Sequence, residues 1–528
     1  MMVSTLRAAP LAAFFGLALA PGLAFAEPPA PCPPRSPAPT ESPRSAAVLA
    51  GADDRYAPLA RFSFGERCMV LELPVTLGSR FEDVGAVALD RAGNELDRGV
   101  VIAPRARIAA TFDSGTELRP ALHAEYEHDL VTGFIAGDPA VPGDGYPTSH
   151  ELDMELRKLN ARVSFAPWAH LSLGLTTSHW GMGLLANDGD HGYQPGSARF
   201  ADPRGGDRLL RAALATGPHT GAGLLVALGG DIVHADDSLL AGDEAKQLFG
   251  AITLGAGKPT TGGAYVVRRF QKTETGARTD VWVTDATAKT RIELGRTSLT
   301  LEGEGALITG TSELAPTANY PEHDVLQLGL AARTSLERGA FGMVLDFLYA
   351  SGDQNLDDGE QNGFRVDPNH ETGLLLYRHV LAAQSARGAV TAADPELVGL
   401  PSKNLERVPT RGNLTNTIAL FPRLRFRPLA GLELYGGPLF AFAAVPLADP
   451  LNSRLAGGVP RGPLGGEGGS YLGTELDLGV RYRALVRGVQ LDAGLEGGTL
   501  RPGSAMRRED GGPMNAVHGG RMMLEVRL

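Results

Sequence analysis

Cysteine is nearly absent from this 528-residue chain: Cys32 and Cys68 are the only two. That excludes a disulfide-dense scaffold. Their spacing alone leaves a single disulfide and two separate thiols equally open. Long apolar runs are missing after the first residues, since nothing there reaches the ~18 apolar residues a spanning helix needs. A basic excess is missing as well. The formal charge is -11, so the chain lacks the basic stripe that nucleic-acid binding requires. Aromatics are sparse, at 6% with three tryptophans. Trp168, Trp180, Trp282, Tyr349, Phe421 and Tyr471 are the candidates for interfacial anchors.

What is present begins with an export signal. Arg7 is the charge of a short n-region, Ala8 to Ala20 is an apolar segment too short to span, and Ala24-Phe25-Ala26 is a cleavage site. Cleavage before Glu27 removes Arg7 and leaves the mature chain one unit more acidic. Residues 27–68 are Pro-rich and predict a disordered periplasmic segment. The region 69–528 carries the main signal.

That signal is alternation. Leu472, Thr474, Leu476, Leu478, Val480 and Tyr482 alternate with Gly473, Glu475, Asp477, Gly479, Arg481 and Arg483. Successive strand side chains point to opposite faces, so such a segment has one greasy and one charged face. Segments of this kind recur to the C-terminus, joined by alternately short and long connections. Val281–Leu294 and Thr297–Thr309 about the Gly295-Arg296 turn form the clearest hairpin. An exported chain with this rhythm predicts an all-β fold, a closed antiparallel transmembrane β-barrel in the bacterial outer membrane. Short turns would be periplasmic and long loops extracellular, the longest being 351–411. Parity gives eighteen strands if Met69–Leu77 is the first, with sixteen as the alternative count. Leu472, Leu476, Leu478 and Leu491 are expected to face lipid.

The polar faces would line the lumen. Arg105, Arg107, Arg162, Lys289, Arg291, Arg333, Arg423, Arg425, Arg427, Arg481 and Arg483 fall there, with Glu302, Glu304, Glu475 and Asp477. These charges read either as cross-strand ladders that hold a wet wall together or as a net-basic constriction favouring anions. A channel for anionic or polar solutes is therefore expected, and a plugged structural or adhesive barrel is the alternative.

Motifs for chemistry fail on spacing. Asp353, Asn355 and Asp357 begin like a calcium loop, but Gly359 stands one place late and Phe364 occupies the position of the bidentate Glu. They remain the one metal candidate, and no other cofactor is expected. Gly255 to Thr260 imitates the end of a phosphate loop but has Pro259 where a hydroxyl residue belongs. Ser178 and His179 are strand neighbours and point apart, so they cannot share a proton. No enzyme is expected.

Tyr349-Ala350-Ser351-Gly352-Asp353, then Asp357-Asp358-Gly359, Phe364, Asp367-Pro368 and His370 resemble the signature loop of the alginate-export porin family. Trp180-Gly181, Arg199-Phe200 and Gly206-Asp207-Arg208-Leu209 resemble its strand–long loop–strand passage. The resemblance implies an eighteen-stranded outer-membrane barrel, in the best-known members a polysaccharide conduit with an Arg-rich lumen. The expected partners are outer-membrane lipid, a small anionic or polysaccharide solute, and the barrel-assembly machinery. Here the loop carries an insertion, Glu371–Arg387, that reads as a helix with Leu374, Tyr377 and Leu381 on one face. With Asp353, Asp357, Asp358, Phe364 and His370 it forms a candidate gate. The chain ends in Leu528 where assembly signals usually have an aromatic.

Overall fold

The computed structural model describes residues 47–48, 58–64, 69–115, 120–136, 141–146, 152–190, 206–256, 258–314, 319–355 and 358–528. The expected signal peptide, both cysteines and Asp357 lie outside these residues.

Eighteen antiparallel strands close on themselves. They are β1 Val75–Val84, β2 Val100–Asp113, β3 Ala121–Thr132, β4 Leu152–Ala166, β5 Ala169–Thr177 and β6 Arg208–His219. Next come β7 Leu224–Ala235, β8 Glu244–Leu254, β9 Thr260–Lys272, β10 Arg278–Leu294, β11 Thr297–Ser312 and β12 His323–Arg338. The last six are β13 Phe341–Ala350, β14 Thr417–Leu429, β15 Leu432–Phe442, β16 Tyr471–Val486, β17 Val489–Pro502 and β18 Val517–Arg527. Each pairs with its neighbours in sequence. β18 then pairs with β1 from Gly519 against Val84 to Arg527 against Thr76. Val75 and Leu528 exchange both backbone hydrogen bonds, at 2.9 and 2.8 Å. Closure leaves no edge, and an edge in hydrocarbon would cost several kcal/mol for each unpaired group.

The first strand differs from the expectation of Met69–Leu77. Pro74 cannot donate to a ladder, and the chain divides there. Met69–Leu73 pairs with the periplasmic end of β2, and β1 begins at Val75. Ala60–Phe64 forms a hairpin with Met69–Leu73, so strand structure begins inside the segment read as Pro-rich tether. The strand count is unaffected.

The outer surface is an apolar belt. Leu214, Leu228, Leu248, Leu424, Leu476, Leu478 and Leu491 are exposed on it. Trp168 and Trp282 are exposed as girdle residues. Leu472 is a correction. Gly473, at φ +148° beside a register shift between β15 and β16, lets the chain change phase, and Leu472 turns inward to be buried. Phe421 and Trp180 also point inside, not to the girdle: Phe421 is buried, and the Trp180 indole donates to Asp285 at 3.0 Å. Leu228 is 63% exposed at mid-strand. Leu228→Arg is expected to destabilise the barrel by about 2–4 kcal/mol, read by urea unfolding in lipid vesicles.

Candidate functional site

The lumen is built from wall charges and from two loops that fold inward. On the wall, cations and carboxylates alternate across neighbouring strands because inward positions repeat every second residue. Arg333 lies opposite Glu302 and Asp346, and its Nε donates to Asp346 at 2.6 Å. Arg423 also donates to Asp346. Arg425 bridges Glu337 and Glu433, both at 2.6 Å, and Arg427 reaches Glu337 at 3.5 Å. Arg481 and Arg483 share Asp492, and Arg105 pairs with Glu525 at 3.2 Å. Arg107 meets Asp129, Glu127 and Asp190. These side chains are largely buried, and their charge is answered locally. Buried pairs of this kind contribute little net stability, but losing one partner is costly.

Three predicted positions stay open. Lys289 and Arg291 are 56% and 55% exposed near the periplasmic end, although they pair with Glu302 and Glu293. Arg162 is exposed and has no ion-pair partner among the described residues. Glu304, Glu475 and Asp477 do not line an open passage. Glu304 accepts the backbone N–H groups of Met182 and Leu184 (3.1 Å for the latter). Glu475 accepts those of Leu374, Leu375 and Leu376, the last two at 2.8 Å. Asp477 is covered with it. Two wall carboxylates thus act as anchors for two loops.

The loops are 178–190 and 351–416, and they meet inside the barrel. Asp367 donates its N–H to the Leu184 carbonyl at 2.9 Å, and His370 contacts the Met182 carbonyl at 3.1 Å. Leu184, Phe364, Val366, Leu374, Leu375, Leu376, Tyr377 and Val380 are buried in one cluster with the inner wall. The wall makes room with glycine. A Cβ on Gly329 would lie 2.3 Å from the Phe364 ring, and one on Gly519 2.9 Å from Leu375. The insertion is helical, but not over Glu371–Arg387. Gly373 takes φ +71°, and the next three N–H groups are spent on Glu475. A π-helical turn, Leu376–Leu381, then leads into α1, Ala382–Ala392.

Further contacts dock the insertion against the β18–β1–β2 side. Arg521 reaches Glu371 at 2.5 Å, Arg387 reaches Asp90 at 2.8 Å, and Arg378 reaches Glu82 at 3.5 Å. Tyr146 Oη lies 2.6 Å from His379 Nδ1. Burial, reinforced by nearby Arg378, pushes this imidazole down to about 3, while burial pushes the Tyr146 phenol up to about 12. The contact is therefore a hydrogen bond between neutral groups. Asp353 and Asp358 serve the loop itself, accepting the N–H groups of Asn355 (3.0 Å) and Glu360 (2.9 Å). No cluster of three or more metal-ligating side chains occurs among the described residues. The calcium candidates Asp353 and Asn355 are turn residues here.

Beside the insertion a cavity of about 710 Å³ remains. It runs from Asp449 and Pro463 at loop level to Leu225 and Thr253 near the lower strand ends. Its wall includes Trp180, Arg211, Phe249, Tyr265, Arg269 and Gln271. Arg211 lies over the Phe249 ring at 4.5 Å and donates to Asp231 at 2.8 Å. The extracellular end is ringed by Asp207, Asp236, Asp237, Asp353, Asp367 and Asp449, interleaved with Arg365, Arg407 and Arg411. Burial raises the Asp207 carboxyl well above its usual range, helped by Asp367 and Asp236. Burial also raises Asp449, to about 6. Acidic side chains thus gather at the extracellular end of the cavity, interleaved with the three arginines.

Sequence reasoning missed Arg157, which is fully buried and reaches Glu127 at 2.9 Å and Asp190 at 3.1 Å. A bulge between Leu156 and Lys158 brings both Arg157 and Lys158 inside. Two adjacent cations in one apolar-backed strand are the available signal, because without a bulge one of them would face lipid. The inward turn of Trp180 carries no such signal.

No family model and no curated protein matches the chain. Among solved structures it is similar to OccK2 (OpdF) of Pseudomonas aeruginosa. That match has 12% identity and a TM-score of 0.50, and covers 87% of this chain and 97% of that one. OccAB1 of Acinetobacter baumannii is 10% identical at TM-score 0.49, covering 90% and 99%. OccK2 in complex with glucuronate is 11% identical at TM-score 0.46, covering 87% and 98%. At such identity the likeness with OccK2 is one of fold. With its closed strands and apolar belt, the chain is an outer-membrane β-barrel with the fold of the porins.

Proposed function

We propose that this barrel is a constricted channel for small anionic or polar solutes. The observation that carries the reading is the cavity of about 710 Å³ beside the inserted helix, which joins the extracellular loop level to the lower lumen. Its size lies in the range of about 300–1,000 Å³ typical of small-molecule sites, which favours a small solute over a polymer strand. Arg162, Lys289 and Arg291 are the wall cations most open to water, and they supply a field that attracts anions. The deeper arginines are buried with their partners, and Lys289 and Arg291 are paired too but open to water. Selectivity therefore rests first on Arg162, which has no ion pair among the described residues, and then on the two exposed pairs. The aromatic faces of Trp180 and Tyr265 offer contact to the apolar side of a solute, as Arg211 and Gln247 do to its polar side.

Two other readings have support. The loop 349–370 keeps polysaccharide export in view through its resemblance to the alginate-export family. The bulky, buried insertion supports a plugged barrel with a structural or adhesive role. Planar-bilayer recording separates the plugged barrel from the two conducting readings, because a plugged barrel gives no steady conductance. On the channel reading, wild type prefers anions at low salt. The triple reversal of Arg162, Lys289 and Arg291 to Glu is expected to move the anion-to-cation permeability ratio on the order of tenfold toward cations. The shift should shrink at 1 M salt, where the Debye length is about 3 Å. A wild-type pore selective for cations at low salt would overturn the anion reading. Liposome uptake of glucuronate, the sugar acid bound by the Pseudomonas protein, against an uncharged hexose is the first solute comparison.

A further inference from the structure

On the outer face, strands β5 to β9 form a shallow groove of about 690 Å³. Its floor is Gly174, Ala212 and Gly230, and its walls are Leu173, Leu210, Ile232, Leu248 and Phe270. The walls are exposed, Leu248 by 63%. Small floor residues between large neighbours make the hollow. The groove lies in the extracellular half of these strands, because β7 and β8 meet at the long-loop end there.

The rim of the groove carries Lys246. This ammonium sits two residues inside β8, about 7 Å below its outer end at ~3.4 Å per residue. It lies opposite Phe270 and Ile232 in the ladder and has no ion-pair partner among the described residues. A cation on the lipid face at that depth is out of place unless an anion meets it. The neighbouring Arg268 does have its anion, with Asp280 Oδ2 at 3.0 Å, and it stacks on Phe270 and Trp282. Above them Lys272 and Arg278 stand opposite one another in the ladder, exposed and outside any ion pair among the described residues, with Glu244 beside them. Cations tiered above an apolar hollow match a lipid whose phosphates sit at the interface and whose chains lie below.

We propose that this groove is a docking site for a phosphorylated, multiply acylated glycolipid of the outer leaflet. Lys246 takes a phosphate oxygen, Lys272 and Arg278 supply the surrounding field, and acyl chains fill the hollow over Ala212 and Gly230. Chain burial by itself gives no preference, since bilayer lipid is as apolar as the groove. Selectivity for this lipid therefore depends on the cations and on the shape of the hollow. The site is independent of the lumen and of the transport reading.

The test uses the full mature chain in vesicles of phosphatidylcholine containing either bis-phosphorylated lipid A or phosphatidylglycerol, followed by gentle extraction and native mass spectrometry. The wild type is expected to retain lipid A at least tenfold over phosphatidylglycerol. Lys246→Glu is expected to remove most of that excess. Ala212→Trp, which fills the hollow without touching a charge, is expected to remove it as well. Heat-modifiable migration in detergent gels shows whether each variant still closes its barrel. Equal retention of the two lipids by wild type would overturn the proposal by reducing the patch to general anionic attraction. Unchanged retention in both folded variants would also overturn it, as would a second copy of the chain occupying this face with no lipid bound.

Discussion

Replacing residues 371–392 by a short Gly-Ser link is expected to raise single-channel conductance by about twofold or more, because it clears a passage the width of a helix, about 10–12 Å. The segment lies inside a barrel whose strand number ordinarily leaves an aqueous channel. Its apolar side chains are buried against the inner wall, and α1 fills the space beside the open cavity. The barrel ladder does not depend on it, since β13 and β14 pair directly from Phe341–Phe426 to Ala350–Thr417. The deletion protein should therefore still migrate as a folded, heat-modifiable barrel. Unchanged conductance in that folded protein would show that ions already bypass the insertion, and the constriction would have to be placed elsewhere.

Glu475→Ala is expected to convert a steady pore into one with frequent large-conductance excursions. The carboxylate accepts three consecutive backbone N–H groups, from Leu374, Leu375 and Leu376. Removing it orphans three buried donors at about 1–3 kcal/mol each. Five buried apolar side chains, at about 1.5–3 kcal/mol each, still favour the inserted state, so the loop loosens without leaving outright. A loss of about 3 kcal/mol raises the population of the displaced state roughly a hundredfold, at 1.4 kcal/mol per factor of ten. Glu475→Gln keeps an acceptor oxygen and should recover part of the time spent in the inserted, lower-conductance state. An Ala variant as quiet as wild type would mean that apolar packing alone holds the insertion. The same reasoning applies in weaker form to Glu304, which takes two N–H groups from loop 178–190.

The strands were legible because lipid and lumen impose opposite demands on neighbouring residues. In Leu476, Leu478 and the charged positions between them, a period of two could not have been produced by a helix. The Gly295-Arg296 hairpin followed from the same pattern, and its register runs unbroken from Leu294–Thr297 to Thr279–Ser312. Places where the backbone changes phase were not legible. Pro74 split the first strand, Gly473 turned Leu472 inward, and the bulge at Arg157 put two adjacent cations on one side. Alternation is a local signal, and one extra residue inverts it without leaving a mark in composition. The candidate gate was partly legible: Leu374 and Tyr377 were too apolar to be displayed to water, and they are buried. Their anchor, Glu475, was visible only as one more lumen charge, because its partners are about a hundred residues away.

A closed barrel with a greasy exterior, charged interior faces and one loop too long and too apolar to be simple surface could all be read from the order of residues. Those features depend on side-chain period, length and turn spacing, which are local. Which charges remain open was settled by contacts between distant parts of the chain. Pairing between strands, and between strands and loops, neutralises Arg423, Arg425, Arg481 and Arg483 while leaving Arg162 exposed. Charge balance at a point is set by distances between residues far apart in the chain, and those distances exist only once the barrel has closed and the loops have folded into it.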